Sequence, residues 1–328
     1  MLELLGPLLV FLLSAAVIVA AGTFLASSAD VIAVRMGWGH LWVGSLLLAG
    51  ATSMPELAIA VASALGGYPE LAAGDVLGAN MINMVIFGVL LALLGGARVY
   101  QRLAPTHWFV AVWAIGLTAL ATLGAAFKLE IPGLAGNLPA LVILGLYLVH
   151  HRLLRRFGAR SMTGGPTETF HSLRWGWSVF VLAAAAVMAA GPLLAISAHQ
   201  VAELTGMASG FIGVAALALV TTLPEIVTTS AALRMGYYDL AVAGLYGSNS
   251  FNIAILGVMD LAYLPGAVFS RLDYGHVAAG VFAILLMGLG LLQLQLRRPQ
   301  KLISLTQPSP PLFLLLYLAG LFAVFKLS

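Results

Sequence analysis

The chain has 328 residues, 61% of them hydrophobic and 8% charged, with a mean hydropathy of +1.04. Soluble domains are about a quarter charged, so this composition excludes a water-soluble globule and describes a polytopic membrane protein with lipid-facing helices. The absence of cysteine excludes disulfides, thiol chemistry and thiolate metal sites, and the net charge of +3, spread over short loops, is no nucleic-acid footprint.

A bilayer-crossing helix needs roughly 20 apolar residues. On that rule ten spans follow one another at about 5–25, 40–65, 70–95, 106–126, 133–153, 176–198, 208–233, 239–262, 274–296 and 310–327. The N-terminal stretch resembles a signal peptide only superficially, because its one charge before Asp30 is the acidic Glu3. It is read as the first span. The polar stretch Arg155–Arg174 divides the spans five and five. Residues 1–154 are thus expected to form a first five-helix repeat, 155–174 a cytoplasmic connecting loop, and 175–328 a second repeat.

An odd number of spans per repeat turns the two halves upside down relative to one another, a plan common among secondary transporters. The distribution of positive charge tests this independently. With both termini outside, twelve Lys and Arg residues fall on the inner side, and only Lys128, Arg271 and Lys326 on the outer. The fold expected is therefore all-α, with ten transmembrane helices in two inverted five-helix repeats and discontinuous second and seventh helices at the centre. Short loops and a compact chain suggest a prokaryotic inner membrane.

The sequence also repeats itself. Residues 49–56 read A-G-A-T-S-M-P-E and residues 218–225 read A-L-V-T-T-L-P-E. Twenty-seven residues after each glutamate stands an asparagine, Asn83 and Asn252, ending G-A-N-M-I-N and G-S-N-S-F-N. One offset of 169 residues aligns Ala26–Val89 with Ala195–Val258 without a gap.

Each part of the motif has a physical use. Pro55 and Pro224 lack the N–H that would serve the carbonyl four residues back, so carbonyls around Ala49–Thr52 and Ala218–Thr221 need other partners. The hydroxyls of Thr52, Ser53, Thr221 and Thr222 stand beside them as further oxygen donors. Glu56 and Glu225 are mid-membrane acids with no Lys or Arg in the central part of either span. An unpaired acid there costs at least about 2.5 kcal/mol, so each calls for a proton or a cation. Two carboxylates match one Ca²⁺, or two Na⁺ or H⁺, and Ca²⁺ takes six to eight oxygen ligands of these kinds. Asn80, Asn83, Asn249 and Asn252, with Ser248, add amide and hydroxyl oxygens on the third and eighth spans, which Gly78 and Gly247 allow to pack closely. With no histidine in the motif segments, a soft transition-metal site is disfavoured. A proline alone is more often a plain kink, and a lone asparagine is often interhelical glue. The complete set, recurring at one offset in inverted halves, outweighs those readings.

These motifs resemble the alpha repeats of the sodium/calcium exchanger family, within the cation/calcium antiporter superfamily. The family's G-[TS]-S-x-P-E and G-S-N-x-x-N patterns are similar to Gly50–Glu56, with Ala51 interposed, to Gly78–Asn83, to Thr221–Glu225 and to Gly247–Asn252. The resemblance implies a non-enzymatic antiporter that needs no cofactor and exchanges Ca²⁺ for Na⁺ at the bilayer midplane by alternating access. It implies that Glu56 and Glu225 are shared Ca²⁺ ligands and that the carbonyls of Thr52 and Thr221 complete the shell. The hydroxyls of Ser53, Thr222 and Ser248 and the carbonyls of Ala49 and Ala218 would line flanking Na⁺ sites, with Asn83 and Asn252 at the middle position. The first and sixth helices would slide as a gate across a fixed core.

This sequence departs from the family at four places. Ala79 stands where serine is usual, which removes a hydroxyl from one Na⁺ site, while Ser248 keeps it in the other half. Thr222 replaces serine and preserves the oxygen. Asn252 falls where potassium-dependent members carry aspartate, which keeps the charge at −2 and argues against potassium dependence. Asp75 falls where asparagine is common, and reads either as a solvated helix-end or vestibule charge or as partial compensation for Ala79. The alternatives are a proton-coupled antiporter of the same fold for Ca²⁺ or another divalent cation, a cation channel, and an intramembrane aspartyl protease built on Asp75. The first lacks a histidine beside either glutamate, since His199 and its offset mate Asp30 lie near span ends and read as surface residues. A channel needs no doubly charged trap, and the protease lacks a second facing aspartate, Asp260 lying at a span end.

Overall fold

The computed structural model describes residues 2–67, 69–95, 99–129, 138–158, 171–204, 219–263, 265–296 and 308–327, and no strand occurs among them. The long helices are α1 (Leu2–Met36), α2 (His40–Thr52), α3 (Met54–Gly66), α4 (Pro69–Leu94), α5 (His107–Ala126) and α6 (Leu138–Gly158). The second half contributes α7 (Leu173–Leu204), α8 (Leu223–Arg234), α9 (Tyr238–Ala262), α10 (Tyr274–Leu296) and α11 (Pro310–Leu327). Among the described residues eight helices are long and apolar enough to cross a bilayer, and α2 with α3, bent by 51°, makes a ninth. The expected span 208–233 is described from residue 219 onward, so its first half lies outside the described residues.

Span limits differ from the sequence reading at the far ends of three helices. α1 continues to Met36 rather than stopping near 25, and α7 continues to Leu204. At 1.5 Å per residue, α1 is roughly 50 Å long and projects beyond the hydrocarbon layer. The polarity of Asp30 does not end α1, because Asp30 is no surface residue: it is 4% exposed and accepts a hydrogen bond from His40 Nε2 at 2.6 Å. Likewise Asp260 is buried and accepts from the Val268 backbone N–H. α6 runs on to Gly158, so the connecting stretch begins later than Arg155.

The internal repeat appears in the packing as an approximate two-fold. α1 packs on α7, α4 on α9 and α5 on α10, each helix on its own mate, while α4–α10 and α4–α11 contacts are mirrored by α9–α5 and α9–α6. Four hydrogen bonds at the centre obey the 169-residue offset. Asn80 Nδ2 donates to the Asn249 carbonyl at 3.2 Å and Asn249 Nδ2 to the Asn80 carbonyl at 3.4 Å. Asn83 Nδ2 donates to Asn249 Oδ1, and Asn252 Nδ2 to Asn80 Oδ1, both at 3.0 Å. The direction is antiparallel: along α4, Asn80 meets Asn252, whereas Phe87 meets Tyr246. The repeats are therefore inverted.

Helix ends repeat the pattern. Gly67 and Gly236, offset mates, both take positive φ (85° and 84°) to close α3 and α8, a conformation open to glycine without a Cβ penalty. Beyond them, Asp239 accepts from the Ala104 N–H and faces His107 Nε2, both at 2.8 Å, fastening the start of α9 to that of α5. Its mate Glu70 fastens α4 to α10 through Arg271 and through a carbonyl contact with His276 Nε2 at 2.8 Å. Burial then ranks the helices. The most apolar window of α9 is 89% buried and that of α4 67%, against 17% for α1 and 11% for α11. α4 and α9 are the axis of the bundle, and lipid covers the outer helices.

Candidate cation site

The chain breaks where the prolines stand. After a π-helical stretch, Val43–Leu48, α2 ends at Thr52, and Ser53 adopts φ −92°, ψ 12° before Pro55 opens α3. The mate Thr222 has φ −81°, ψ 6°, and Pro224 opens α8. Pro55 gives no N–H to the Ala51 carbonyl, so the helix cannot run straight through. The wider π turn, a feature frequent at functional sites, lies against α9: a Cβ on Gly247 would come within 2.4 Å of Ser45 Cα. Glu56 and Glu225 sit in the first turns of α3 and α8, where the positive end of the helix dipole faces a carboxylate.

Both glutamates are deeply buried, Glu56 at 1% and Glu225 at 3% exposure, and neither makes an ion pair among the described residues. Around them Thr52, Ser53, Asn83, Thr221, Thr222, Ser248 and Asn252 are buried as well. The described residues of the expected ligand set are thus all buried, while Ala218 lies outside the described residues. Ala49 is buried, and its carbonyl already accepts from the Ser53 N–H at 3.0 Å and from Thr52 Oγ1 at 3.1 Å.

The two glutamates differ in their surroundings. Glu225 Oε1 accepts from Ser53 Oγ at 3.1 Å and Ser248 Oγ at 3.4 Å, and Ser248 Oγ lies 3.4 Å from Thr52 Oγ1. Both oxygens of Glu56 have no hydrogen-bond partner, nor do Glu225 Oε2, Asn83 Oδ1 and Asn252 Oδ1. Burying polar atoms unpaired is costly, so these five oxygens call for a further partner. All are hard donors. Among the described residues no three His, Asp or Glu side chains cluster as a metal site.

Two features were not drawn from the sequence. Asn80 and Asn249 spend their side-chain oxygens on the amides of Asn252 and Asn83, which fixes those amides and leaves their oxygens unpartnered. The only signal was their three-residue spacing. Asp75 is not a solvated helix end: it is 9% exposed and accepts from Thr221 Oγ1 at 3.3 Å.

A family model described as sodium/calcium exchanger protein matches residues 6–152 and 175–326, nearly the whole chain and both halves. The chain belongs to the sodium/calcium exchanger family. Relatives of this exchanger include the inner membrane protein YrbG of Escherichia coli, 28% identical over 279 residues, covering 79% of this chain and 82% of that one. The sodium/calcium exchanger MaX1 of Methanosarcina acetivorans is 25% identical over 289 residues, covering 78% and 83%. Among solved structures, the sodium-calcium exchanger NCX_Mj, soaked with Na⁺ and no Ca²⁺, superposes with a TM-score of 0.73 at 16% identity, over 97% of this chain and 99% of that one, and so shares its fold. The chain is a multi-pass membrane protein of a transporter family.

Proposed function

We propose that this exchanger moves Ca²⁺ against an inward Na⁺ gradient by alternating access at the centre of the bundle. The observation that carries the reading is the set of five buried, unpartnered oxygens that Glu56, Glu225, Asn83 and Asn252 present. Ca²⁺ draws on both carboxylates, with the Thr52 and Thr221 carbonyls and the Asn83 and Asn252 amide oxygens completing an oxygen shell. Na⁺ occupies the flanks, lined by Ser53, Ser248 and the Ala49 carbonyl on one side and by Thr222 and the Ala218 carbonyl on the other. Two carboxylates cannot neutralise Ca²⁺ and a full set of Na⁺ together, so binding of one ion expels the other. That competition is the physical basis of exchange.

The names of relatives support the choice of ions: MaX1 is called a sodium/calcium exchanger, and NCX_Mj crystals were soaked with Na⁺ and with Sr²⁺. The positive-charge bias supports an outside N-terminus and a cytoplasmic connection, now 159–172, between the two repeats, and the name of YrbG supports an inner-membrane location. α1 and α7 are the gate, since they pack on one another and on the broken helices.

The test is ⁴⁵Ca²⁺ flux in proteoliposomes. An imposed Na⁺ gradient with the pH gradient collapsed should drive Ca²⁺ movement, and Glu56→Gln or Glu225→Gln should abolish it. Flux that follows a pH gradient and ignores Na⁺ would replace this reading with the proton-coupled one.

A further inference from the structure

The two flanking half-sites, related by the 169-residue offset, are built differently. In the first, the Ser53 and Ser248 hydroxyls converge on Glu225, and Thr52 Oγ1 meets Ser248 Oγ. Its mate would be made of Thr222, Glu56, Thr221 and residue 79. Residue 79 is a buried alanine with no hydroxyl to offer. Thr221 Oγ1 is bonded instead to Asp75 Oδ1 at 3.3 Å, one helical turn earlier on α4. The contact Thr52–Ser248 in one half is therefore answered by Thr221–Asp75 in the other. The offset mate of Asp75 is Gly244, so the acid has no counterpart. On this side Glu56 keeps both oxygens unpartnered at 1% exposure.

We propose that Asp75 is a cation ligand of this second flanking half-site, supplying beside Glu56, Thr221 and Thr222 the oxygen that Ala79 lacks, and that the cation is Na⁺. The assignment rests on the Na⁺/Ca²⁺ reading above. Asp75 meets the Thr221 hydroxyl, whereas Glu225 meets those of Ser53 and Ser248, so the two acids serve different halves of the site. A divalent ion held between the glutamates uses them both. An ion on the flank meets a different set, one carboxylate from each of two helices plus threonine hydroxyls. Replacing a hydroxyl by a carboxylate raises affinity for a small hard cation, because affinity for such ions is tuned by ligand charge.

The competing explanation is a vestibule charge that concentrates cations without touching them. The two make opposite demands on selectivity. A vestibule potential enriches a divalent ion by the square of its effect on a monovalent one, and salt screens it. A ligand on the flank acts chiefly on Na⁺, and salt leaves its effect in place.

The experiment measures ⁴⁵Ca²⁺ binding to the purified full chain in choline chloride, at two ionic strengths, with Na⁺ titrated as competitor. In Asp75→Asn the Na⁺ concentration that displaces half of the Ca²⁺ should rise at least about tenfold, more than any change in Ca²⁺ affinity, and equally at both ionic strengths. Adding Ala79→Ser to that variant should recover part of the loss by restoring the hydroxyl. Unchanged Na⁺ competition overturns the assignment, as does a loss larger for Ca²⁺ than for Na⁺ or one that fades in high salt. If Asp75→Asn does not yield a monodisperse protein, Asp75→Ser is read by the same criteria. Glu56→Gln separates the two levels of inference. If it abolishes Ca²⁺ binding while Asp75→Asn leaves Na⁺ competition intact, only Asp75 is misassigned. If Na⁺ does not compete even in the unaltered chain, the Na⁺ reading itself falls and takes this assignment with it.

Discussion

Glu56→Gln and Glu225→Gln should both destroy function, but only Glu56→Gln should make the cation-free protein more stable. Glu56 is 1% exposed with both oxygens unpartnered, so its ionised form carries the full penalty of an intramembrane acid, about 2.5–3.5 kcal/mol on the insertion scale. A neutral amide of the same shape, equally unpartnered, costs about 1–3 kcal/mol. The substitution therefore gains about 1 kcal/mol. At Glu225 the same relief is opposed, because Oε1 accepts from Ser53 and Ser248. Hydrogen bonds to a charged group contribute about 1.5–3 kcal/mol and to a neutral one about 0.5–1.5, so two weakened bonds lose about 2 kcal/mol. The two variants should differ by about 2 kcal/mol, with the unaltered chain between them. Unfolding of the purified protein in detergent, with chelator and choline in place of Ca²⁺ and Na⁺, measures the order. Addition of Ca²⁺ at a hundred times its Kd should then stabilise only the unaltered chain, by about 2.7 kcal/mol. A cation-free Glu225→Gln protein as stable as Glu56→Gln would refute the asymmetry argued from the hydrogen bonds.

Asn80→Ala should cost only about 0.6 kcal/mol per lost hydrogen bond in unfolding measurements, yet slow Ca²⁺ flux at least about tenfold, because the Asn252 amide loses the partner that orients it. Gly247→Ala should destabilise by about 1–3 kcal/mol, since the new methyl meets the Ser45 backbone, whereas Gly145→Ala, with open space around it, should stay within about 0.5 kcal/mol. The cysteine-free chain suits crosslinking. Joining Val31→Cys to Gly176→Cys, within the α1–α7 pair, should spare transport, and joining Gly22→Cys to Val227→Cys, between α1 and α8, should block it until reduced. Block by the first pair, or free transport with the second fully joined, would remove α1 and α7 from the gating role.

What was legible in the sequence was what repetition and charge record. The offset of 169 residues located both glutamates, both prolines and the paired asparagines, and the odd span count with the arginine bias implied inversion. The antiparallel asparagine exchange between α4 and α9 bears that inversion out. What escaped the sequence depends on partners distant in the chain. Asp30 looked like a surface residue because His40, ten positions on, lies beyond a turn that only the fold closes. Asp75 stayed open between a solvated helix end and partial compensation for Ala79, because Thr221, 146 residues away, carries no mark of the contact. The ends of α1 and α7 were misplaced for a related reason, since hydropathy marks the lipid layer and says nothing of where a protein-packed helix stops.

For an exchanger of two inverted repeats, the symmetry itself sorts residues by what they can influence. Were the halves identical, an inward-facing state would be the outward-facing state with the repeats exchanged, and the two would have equal energy. Positions that obey the offset, such as the four central asparagines and the two glutamates, supply the site without favouring either face. Any difference in the equilibrium between faces, or in which ion is met first, must come from positions that break it. At the cation site these are few: Ala79 against Ser248, Asp75 against Gly244, and Ser53 against Thr222. At the periphery, a buried Asp239–His107 clasp opposes an exposed Glu70–Arg271 one, so water weakens one fastening and not the other. On the proposed function, the shared residues form the exchange site, and these unshared pairs are the positions whose substitution should change direction and ion preference.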